Sequence, residues 1–260
     1  MQLHVIGSSS KGNCYILESS SEALILEAGC KLMEVKKALH WQLSKVVGCA
    51  VSHEHNDHAG YAAEYAAAGI KVLALPAVQQ AKGIKRNAIA VELGKAYKMG
   101  SFVLQPFEVM HDVPCVGYMV KQQELGKLVF FTDTFACKYR FKGVSTYMVE
   151  ANYCDELLEA NIEAGKVPML LRNRLMTSHM ELHNTIGFLR SSDLSSVRNI
   201  VLVHLSAGNA EAARFEEAVM AATGLPAVAA REGLTMEVGT LCGTLQRGLQ
   251  SSLRLQCWST

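Results

Sequence analysis

The chain has 260 residues, half of them hydrophobic and 19% charged, with a formal net charge of +1. That is enough apolar material for a buried core in one large domain or at most two, and it excludes a disordered chain. So balanced a charge gives little long-range pull on a polyanion, so a nucleic acid has to be held by local groups. No apolar run reaches the roughly 18 residues of a membrane span. The N-terminus lacks the basic and long apolar regions of a signal peptide. The eight cysteines are scattered without a C-x-x-C pair, several of them in apolar runs. They are read as reduced core residues of a cytoplasmic protein.

Residues 2–6 predict a first strand. The polar stretch Gly7 to Asn13, with two glycines and Lys11, either binds an anion through backbone N–H groups or simply connects a hairpin. Strands are expected over 14–18 and 23–27, then a short helix over 31–40 with Leu32, Val35 and Leu39 on one side. Residues 46–51 are an apolar run of strand length, and 59–68 is an alanine-rich helical stretch. Between them lie His53, His55, Asp57 and His58, in the order His-x-His-x-Asp-His. His53 and His55, two apart in extended backbone, point to the same side. Asp57 and His58 enter the first helical turn, diverge, and can serve a second centre. Imidazole and carboxylate together suit zinc, manganese or iron. The bland alternative is a polar loop rich in histidine by accident.

A strand over 70–75 is closed by Pro76, and residues 77–100 carry no period that decides their structure. The strand over 102–109 runs into Met110-His111-Asp112. Strands over 116–121 and 127–131 form a hairpin ending in Thr132-Asp133-Thr134. The strand over 146–149 ends at Glu150, and a helix is expected over 154–164. Residues 166–178 carry Lys166, Arg172 and Arg174 and lead to Ser178-His179 without an assigned element. A helix over 184–190 follows, then a strand over 199–203 ending at His204-Leu205-Ser206. A helix over 209–223 is expected to open on an Asn209 cap and close at Gly224. Residues 1–240 are expected to form a single domain, with 241–260 a tail free to fray. His53, His111, Asp133, His179 and His204 all stand at or just past the ends of apolar or strand-like runs. A layered α/β fold gathers such ends along one edge.

With these motifs in this order, the chain resembles the metallo-β-lactamase superfamily in its two-metal hydrolase form. The strings Gly7 to Cys14, His111 to Tyr118, Ser178-His179-Met180 and His204-Leu205-Ser206 look like the YycJ/WalJ/VicX-like branch, a relative of ribonuclease Z. The resemblance implies a four-layer αββα sandwich. It implies that His53, His55 and His111 hold one divalent ion (zinc or manganese, with iron admitted), that Asp57, His58 and His204 hold another, and that Asp133 bridges them. By analogy with ribonuclease Z, His179 would donate a proton to the leaving group and Glu150 would orient it. The chain departs from the family at Glu27, Phe135, Glu181 and His183, where aspartate, glycine, serine and glutamate are usual.

The function expected is that of a metal-dependent phosphodiesterase working through a metal-activated hydroxide, and the resemblance to that branch implies an exonuclease on DNA. Asp57 would both ligate and orient that hydroxide, and His183 stands near His179 as a competing acid. Ser9, Lys11, Asn13, Arg172, Arg174 and Ser206 are the candidate substrate contacts. The basic run Lys138, Arg140 and Lys142 is either a phosphate-binding flank or a solvated face. A small ester, thioester or lactone hydrolase on the same metals is the alternative, with a ribonuclease Z-like RNA nuclease behind it. No membrane partner is expected, and a homodimer is admitted.

Overall fold

The computed structural model describes residues 1–239, so the tail expected over 241–260 lies outside the described residues. The first half of the chain runs β1 (Gln2–Ser9), β2 (Gly12–Glu18), β3 (Ala23–Leu26), α1 (Leu32–Ala38), β4 (Val46–Ala50), α2 (Asn56–Ala59), α3 (Ala62–Ala67), β5 (Val72–Ala74), α4 (Pro76–Ala81) and β6 (Ala88–Ala90). The second half runs β7 (Tyr97–Met99), β8 (Phe102–Val109), β9 (Cys115–Gln122), β10 (Gly126–Phe131), β11 (Thr146–Glu150), α5 (Asp155–Glu163), α6 (Met169–Ser178), α7 (Leu182–Arg190), β12 (Asn199–Val203), α8 (Ala212–Thr223), β13 (Ala227–Ala229) and β14 (Thr235–Glu237).

The strands form two seven-stranded sheets, ordered β14-β1-β2-β3-β4-β5-β6 and β13-β12-β11-β10-β9-β8-β7. Each is antiparallel in one half and parallel in the other. The period-two rule explains why the sheets stack. Along β2, Tyr15 and Leu17 face the second sheet, where they meet Phe102, Tyr118 and Phe130. Cys14 and Ile16 face the other way, onto Leu32 and Val35 of α1 and Tyr65 of α3. The far face of the second sheet packs Val129, Tyr147 and Ile200 under Phe188 of α7 and Phe215 of α8. The layers are therefore helix, sheet, sheet, helix, the metallo-β-lactamase fold. Each fully buried Leu or Phe contributes about 1.5–3 kcal/mol, so the sandwich can carry the strained turns at its edge.

The two sheets are tied where the site forms. The Tyr118 hydroxyl of β9 donates to the Val51 carbonyl at 2.9 Å, just past the end of β4. Val116 N donates to the Ser52 carbonyl at 3.1 Å. These bonds hold the segment before His53 against the second sheet, next to the end of β8 and His111.

Gly7 to Asn13 is the hairpin connection: β1 and β2 pair out to Ser9 and Gly12, leaving a two-residue turn. Three local features differ from the sequence reading. Residues 169–178 form α6, begun after Pro168, whose fixed φ suits the start of a helix. Asn209 does not cap α8, which starts at Ala212 behind Glu211. Its side chain instead accepts from Asn161 Nδ2 at 2.9 Å, tying the loop to α5. Short strands β13 and β14 cover part of 225–240, where only three residues pair in each and no period can show. No helix among the described residues is long and apolar enough to cross a membrane.

Gly29, at the β3–α1 turn, lets the Asp57 backbone come close. A Cβ there would sit 1.8 Å from the Asp57 carbonyl oxygen and 2.6 Å from Asn13 N. Both obstacles are backbone and cannot swing away. Gly29→Ala is expected to cost about 1–3 kcal/mol or more by overpacking, read as a lower melting temperature, and to weaken divalent-ion binding in parallel. A variant as stable and as metal-competent as the parent would show that the turn yields freely.

Candidate metal centre

Six side chains reach the site from the ends of six strands. Glu27 follows β3, His53 follows β4, His111 follows β8, Asp133 follows β10, Glu150 ends β11 and His204 follows β12. Asp57 and His58 lie in α2, with His55 at its N-cap. Glu27, Asp133 and His204 adopt left-handed backbone, with φ of 68°, 49° and 57°. Such conformations cost on the order of 1–3 kcal/mol each for a non-glycine residue. They turn the chain sharply off the strand and aim the side chain across the sheet edge.

Asp133 is the hub and is 2% exposed. Its Oδ1 lies 3.1 Å from His58 Nε2 and 3.1 Å from His204 Nδ1. Its Oδ2 lies 3.9 Å from His53 Nε2, His111 Nε2 and His179 Nδ1. Three groups share it. His53, His55, His111 and Asp133 offer ligand atoms within 4.8 Å of one another, and so do Asp57, His58, Asp133 and His204, and Asp133, Glu150, His179 and His204. Asp57 Oδ2 completes the second group, 3.2 Å from His58 Nε2 and 3.4 Å from His204 Nε2.

The protein leaves these nitrogens waiting for a cation. His111 Nδ1 donates to the Ser178 carbonyl at 3.1 Å, so its Nε2 carries a lone pair, and that atom faces His55 Nδ1 at 3.3 Å. His53 Nδ1 is engaged by the Ser52 hydroxyl at 2.9 Å. Its Nε2, like His204 Nε2, is buried without a hydrogen-bond partner. A buried unpaired polar atom costs about 1–3 kcal/mol, and coordination removes that cost. The donor set of imidazoles and carboxylates fits zinc, manganese or iron.

Electrostatics tell the same story in protons. Burial pulls His204 down, but Asp133, Asp57 and Glu150 outweigh it and push it up to about 10. His58 is raised in the same way, burial losing to Asp133. Burial works to raise Asp133, yet His204 and His58 hold it well below the usual carboxylate range. His53 is pulled well down by burial and by the charge of His58. The cluster thus balances its carboxylates with protons that a divalent ion can replace.

Around the donors stand groups that position them. Glu150 is fully buried and does not line the cavity that opens onto the cluster. Its Oε1 lies 2.7 Å from His179 Nδ1 and 3.1 Å from His204 Nδ1, while Oε2 accepts from Thr134 N at 2.9 Å. Against burial, Glu150 keeps His179 above its ordinary value. Glu27 Oε2 accepts from Ser52 N at 3.3 Å and stops 3.7 Å from His58 Nδ1. Asn152 Nδ2 donates to the His204 carbonyl at 2.7 Å. The one sequence signal for Asn152 is its place just after a strand end. Asp112, also passed over, lies 3.0 Å from His111 Nε2 and 3.5 Å from His55 Nε2. It was hidden as a loop residue beside a stronger candidate.

A cavity of about 290 Å³ opens onto the cluster, lined by Ser10, Asp57, Asn152, Arg174, His179 and Ser206 among others. The remaining substrate candidates fall elsewhere. Asn13 is fully buried, its Nδ2 donating to the Ser9 carbonyl at 3.0 Å and the Asp57 carbonyl at 3.3 Å and lying 3.1 Å from His58 Nε2. It supports the metal loop and cannot meet substrate directly. Arg172 is held by Glu159 at 2.6 Å on α5, away from the cavity. Ser9 and Lys11 line a neighbouring cleft that shares Ser206 with the cavity. Lys138 pairs with Glu108 at 2.7 Å, and Arg140 donates to the Tyr139 carbonyl at 2.9 Å. Glu181 caps α7, accepting from Asn184 N at 3.3 Å, and the 78% exposed His183 side chain leans on it at 3.2 Å. His183 therefore points to solvent. Phe135 is 41% exposed, its N–H donating to the Met110 carbonyl at 3.0 Å.

The family model described as the metallo-beta-lactamase superfamily matches residues 9–93, the stretch that holds the His-x-His-x-Asp-His loop. The exodeoxyribonuclease WalJ of Streptococcus pneumoniae is 25% identical over 224 residues, covering 79% of this chain and 81% of that protein. The exodeoxyribonuclease YycJ of Bacillus anthracis is 26% identical over 235 residues, covering 80% and 84%. Among solved structures, Bacillus subtilis YhfI, a metallo-beta-lactamase fold protein, superposes with a TM-score of 0.69 at 14% identity over 90% of this chain and 98% of that one. The short form of human tRNase Z superposes at 0.62 with 13% identity, over 92% and 100%. These two share the fold. The family match thus covers residues 9–93, and the fold of the chain is that of these solved structures.

Proposed function

We propose that the protein is a metal-dependent hydrolase that cleaves phosphodiester bonds of nucleic acid, with DNA as the substrate, and that residues 1–240 work as one catalytic domain. The observation that carries this is the pairing of two donor groups through Asp133 with a histidine outside both, His179, held at 2.7 Å by Glu150. In this reading His53, His55 and His111 hold one divalent ion, and Asp57, His58 and His204 the other, with Asp133 between them. Zinc and manganese suit the donors best, and iron is compatible with them. The bound ions supply an activated water and neutralise charge on the phosphoryl oxygens.

The chain's own residues do the rest. Asp57, at the lip of the cavity, orients the attacking water. Glu150 fixes His179 Nδ1 and keeps the imidazole protonated, leaving Nε2–H to be given to the departing oxygen. Arg174 and Ser206 line the cavity and meet phosphate oxygens, the guanidinium by charge and the hydroxyl as a donor. A proton donor matters for an alkoxide leaving group and is superfluous for an acidic one, which favours phosphodiester over thioester as substrate. The names of the WalJ and YycJ relatives support DNA over RNA. All six described cysteines are free thiols, in keeping with a cytoplasmic setting.

Metal binding is expected to release protons, because His58 and His204 must lose theirs before they can ligate. Affinity for zinc or manganese in calorimetry should therefore rise as the pH is raised through neutrality. His53→Ala should lower the bound stoichiometry from two ions to one. A pH-independent affinity, or a parent protein that takes up no ion, would remove the metal reading.

End-labelled single- and double-stranded DNA and RNA, offered with manganese, test the substrate. DNA should be shortened from an end, and Asp57→Ala should abolish the activity. His179→Ala is expected to lower kcat about 10²–10⁴-fold on polynucleotide while sparing bis-p-nitrophenyl phosphate, whose leaving group needs no proton. Equal losses on both substrates would remove His179 as the acid. Rapid lactone or thioester turnover with every polynucleotide intact would overturn the nuclease reading.

A further inference from the structure

Behind the loop that carries Asp57, two thiols lie against each other. Cys14 of β2 pairs across the ladder with Gly7 of β1, and paired residues of antiparallel strands turn their side chains to one face. A Cβ on Gly7 would lie 2.8 Å from the Cys30 sulfur, and one on Gly12 3.2 Å from it. The Cys30 sulfur thus fills the space that two glycines leave open beside Cys14. Tyr65 braces the pair: its hydroxyl lies 3.7 Å from Cys14 Sγ and donates to the Cys30 carbonyl at 2.8 Å.

The two sulfurs are not equivalent. Cys14 is fully buried, whereas Cys30 is partly exposed and lines a cleft with Lys31, Glu34 and Tyr61. The neighbouring Cys14 thiol lowers the Cys30 thiol, against burial and the nearby Glu232 and Glu34. Burial raises Cys14 well above its ordinary value. The outer sulfur ionises first, and the inner one stays protonated beside it.

We propose that Cys14 and Cys30 are a reversible redox pair in which a peroxide oxidises Cys30 and Cys14 closes the product to an intramolecular disulfide. The Cys30 thiolate attacks the peroxide, the O–O bond breaks, and hydroxide leaves, so the peroxide is reduced by two electrons and Cys30 becomes a sulfenic acid. The Cys14 sulfur then attacks the Cys30 sulfur, the S–O bond breaks, and the hydroxyl leaves with the Cys14 proton as water. A small-molecule dithiol restores both thiols by exchange. The bridge joins β2 to the β3–α1 turn, the two segments that hold Asp57. Gly29 N donates to the Asn13 carbonyl at 2.9 Å, and Asn13 Nδ2 to the Asp57 carbonyl at 3.3 Å.

The test is peptide mapping of the whole protein after hydrogen peroxide, with thiols then blocked. Cys14 and Cys30 fall in one tryptic peptide, residues 12–31, which also contains Glu18, Glu22 and Glu27. That peptide should lose two hydrogen atoms, and cleavage at the glutamates should leave its halves joined until dithiothreitol is added. Cys30→Ser should abolish the bridge, while Cys49→Ala, a buried neighbour on β4, should keep it. In Cys14→Ala, which retains a small apolar side chain, Cys30 should stop at the sulfenic acid and be trapped by dimedone. Oxidation of Cys30 without a link to Cys14, or a link from Cys14 to Cys49 instead, would overturn the proposal.

Discussion

The site depends on one buried carboxylate. Asp133 is out of water and faces five imidazoles, two of them at 3.1 Å. A charge so buried is stable only if it is neutralised. Here the neutralising groups come from four separate stretches of chain: His53 and His58, His111, His179 and His204. Protons can meet that need, and divalent ions meet it while also satisfying the orphaned nitrogens of His53 and His204.

Holding the carboxylate there requires a stiff frame. Asp133, His204 and Glu27 all sit in left-handed backbone, a strain that only the packed sheets beneath can sustain. Gly29 admits the Asp57 backbone where any side chain would collide with it. Glu150 contacts two histidines at once, one past the end of α6 and one past the end of β12, so the orientation of His179 and that of His204 are coupled through a single carboxylate. The thiol pair of Cys14 and Cys30 lies behind the same frame, on the side away from the donors.

Much of this was legible because the strongest signals are local. The His-x-His-x-Asp-His loop lies between an apolar strand and an alanine-rich helix, and both form as their periods indicate. The strand ends at His111, Asp133, Glu150 and His204 follow from runs that alternate or are continuously apolar. What escaped is what depends on partners distant in sequence. Asn13 reads as a loop residue able to meet an anion, yet it is walled in beneath His58. Arg172 reads like its neighbour Arg174, but the helix they share sends one to Glu159 and the other to the cavity rim. Residues 169–178 lacked an amphipathic stripe because little of α6 is buried, and periodicity reports burial rather than helicity.

The residue order alone determined the layered α/β architecture and the identity of the metal-capable donors, since both follow from side-chain chemistry and from repeats a few residues long. Only the tertiary structure decided that Asp133 lies among five imidazoles, that Asn13 is buried beneath His58 while Arg174 lines the cavity, and that Cys30 packs beside Cys14. Those facts rest on distances between strands far apart in the chain, set by sheet order and by close approaches at glycine, and no local pattern encodes them.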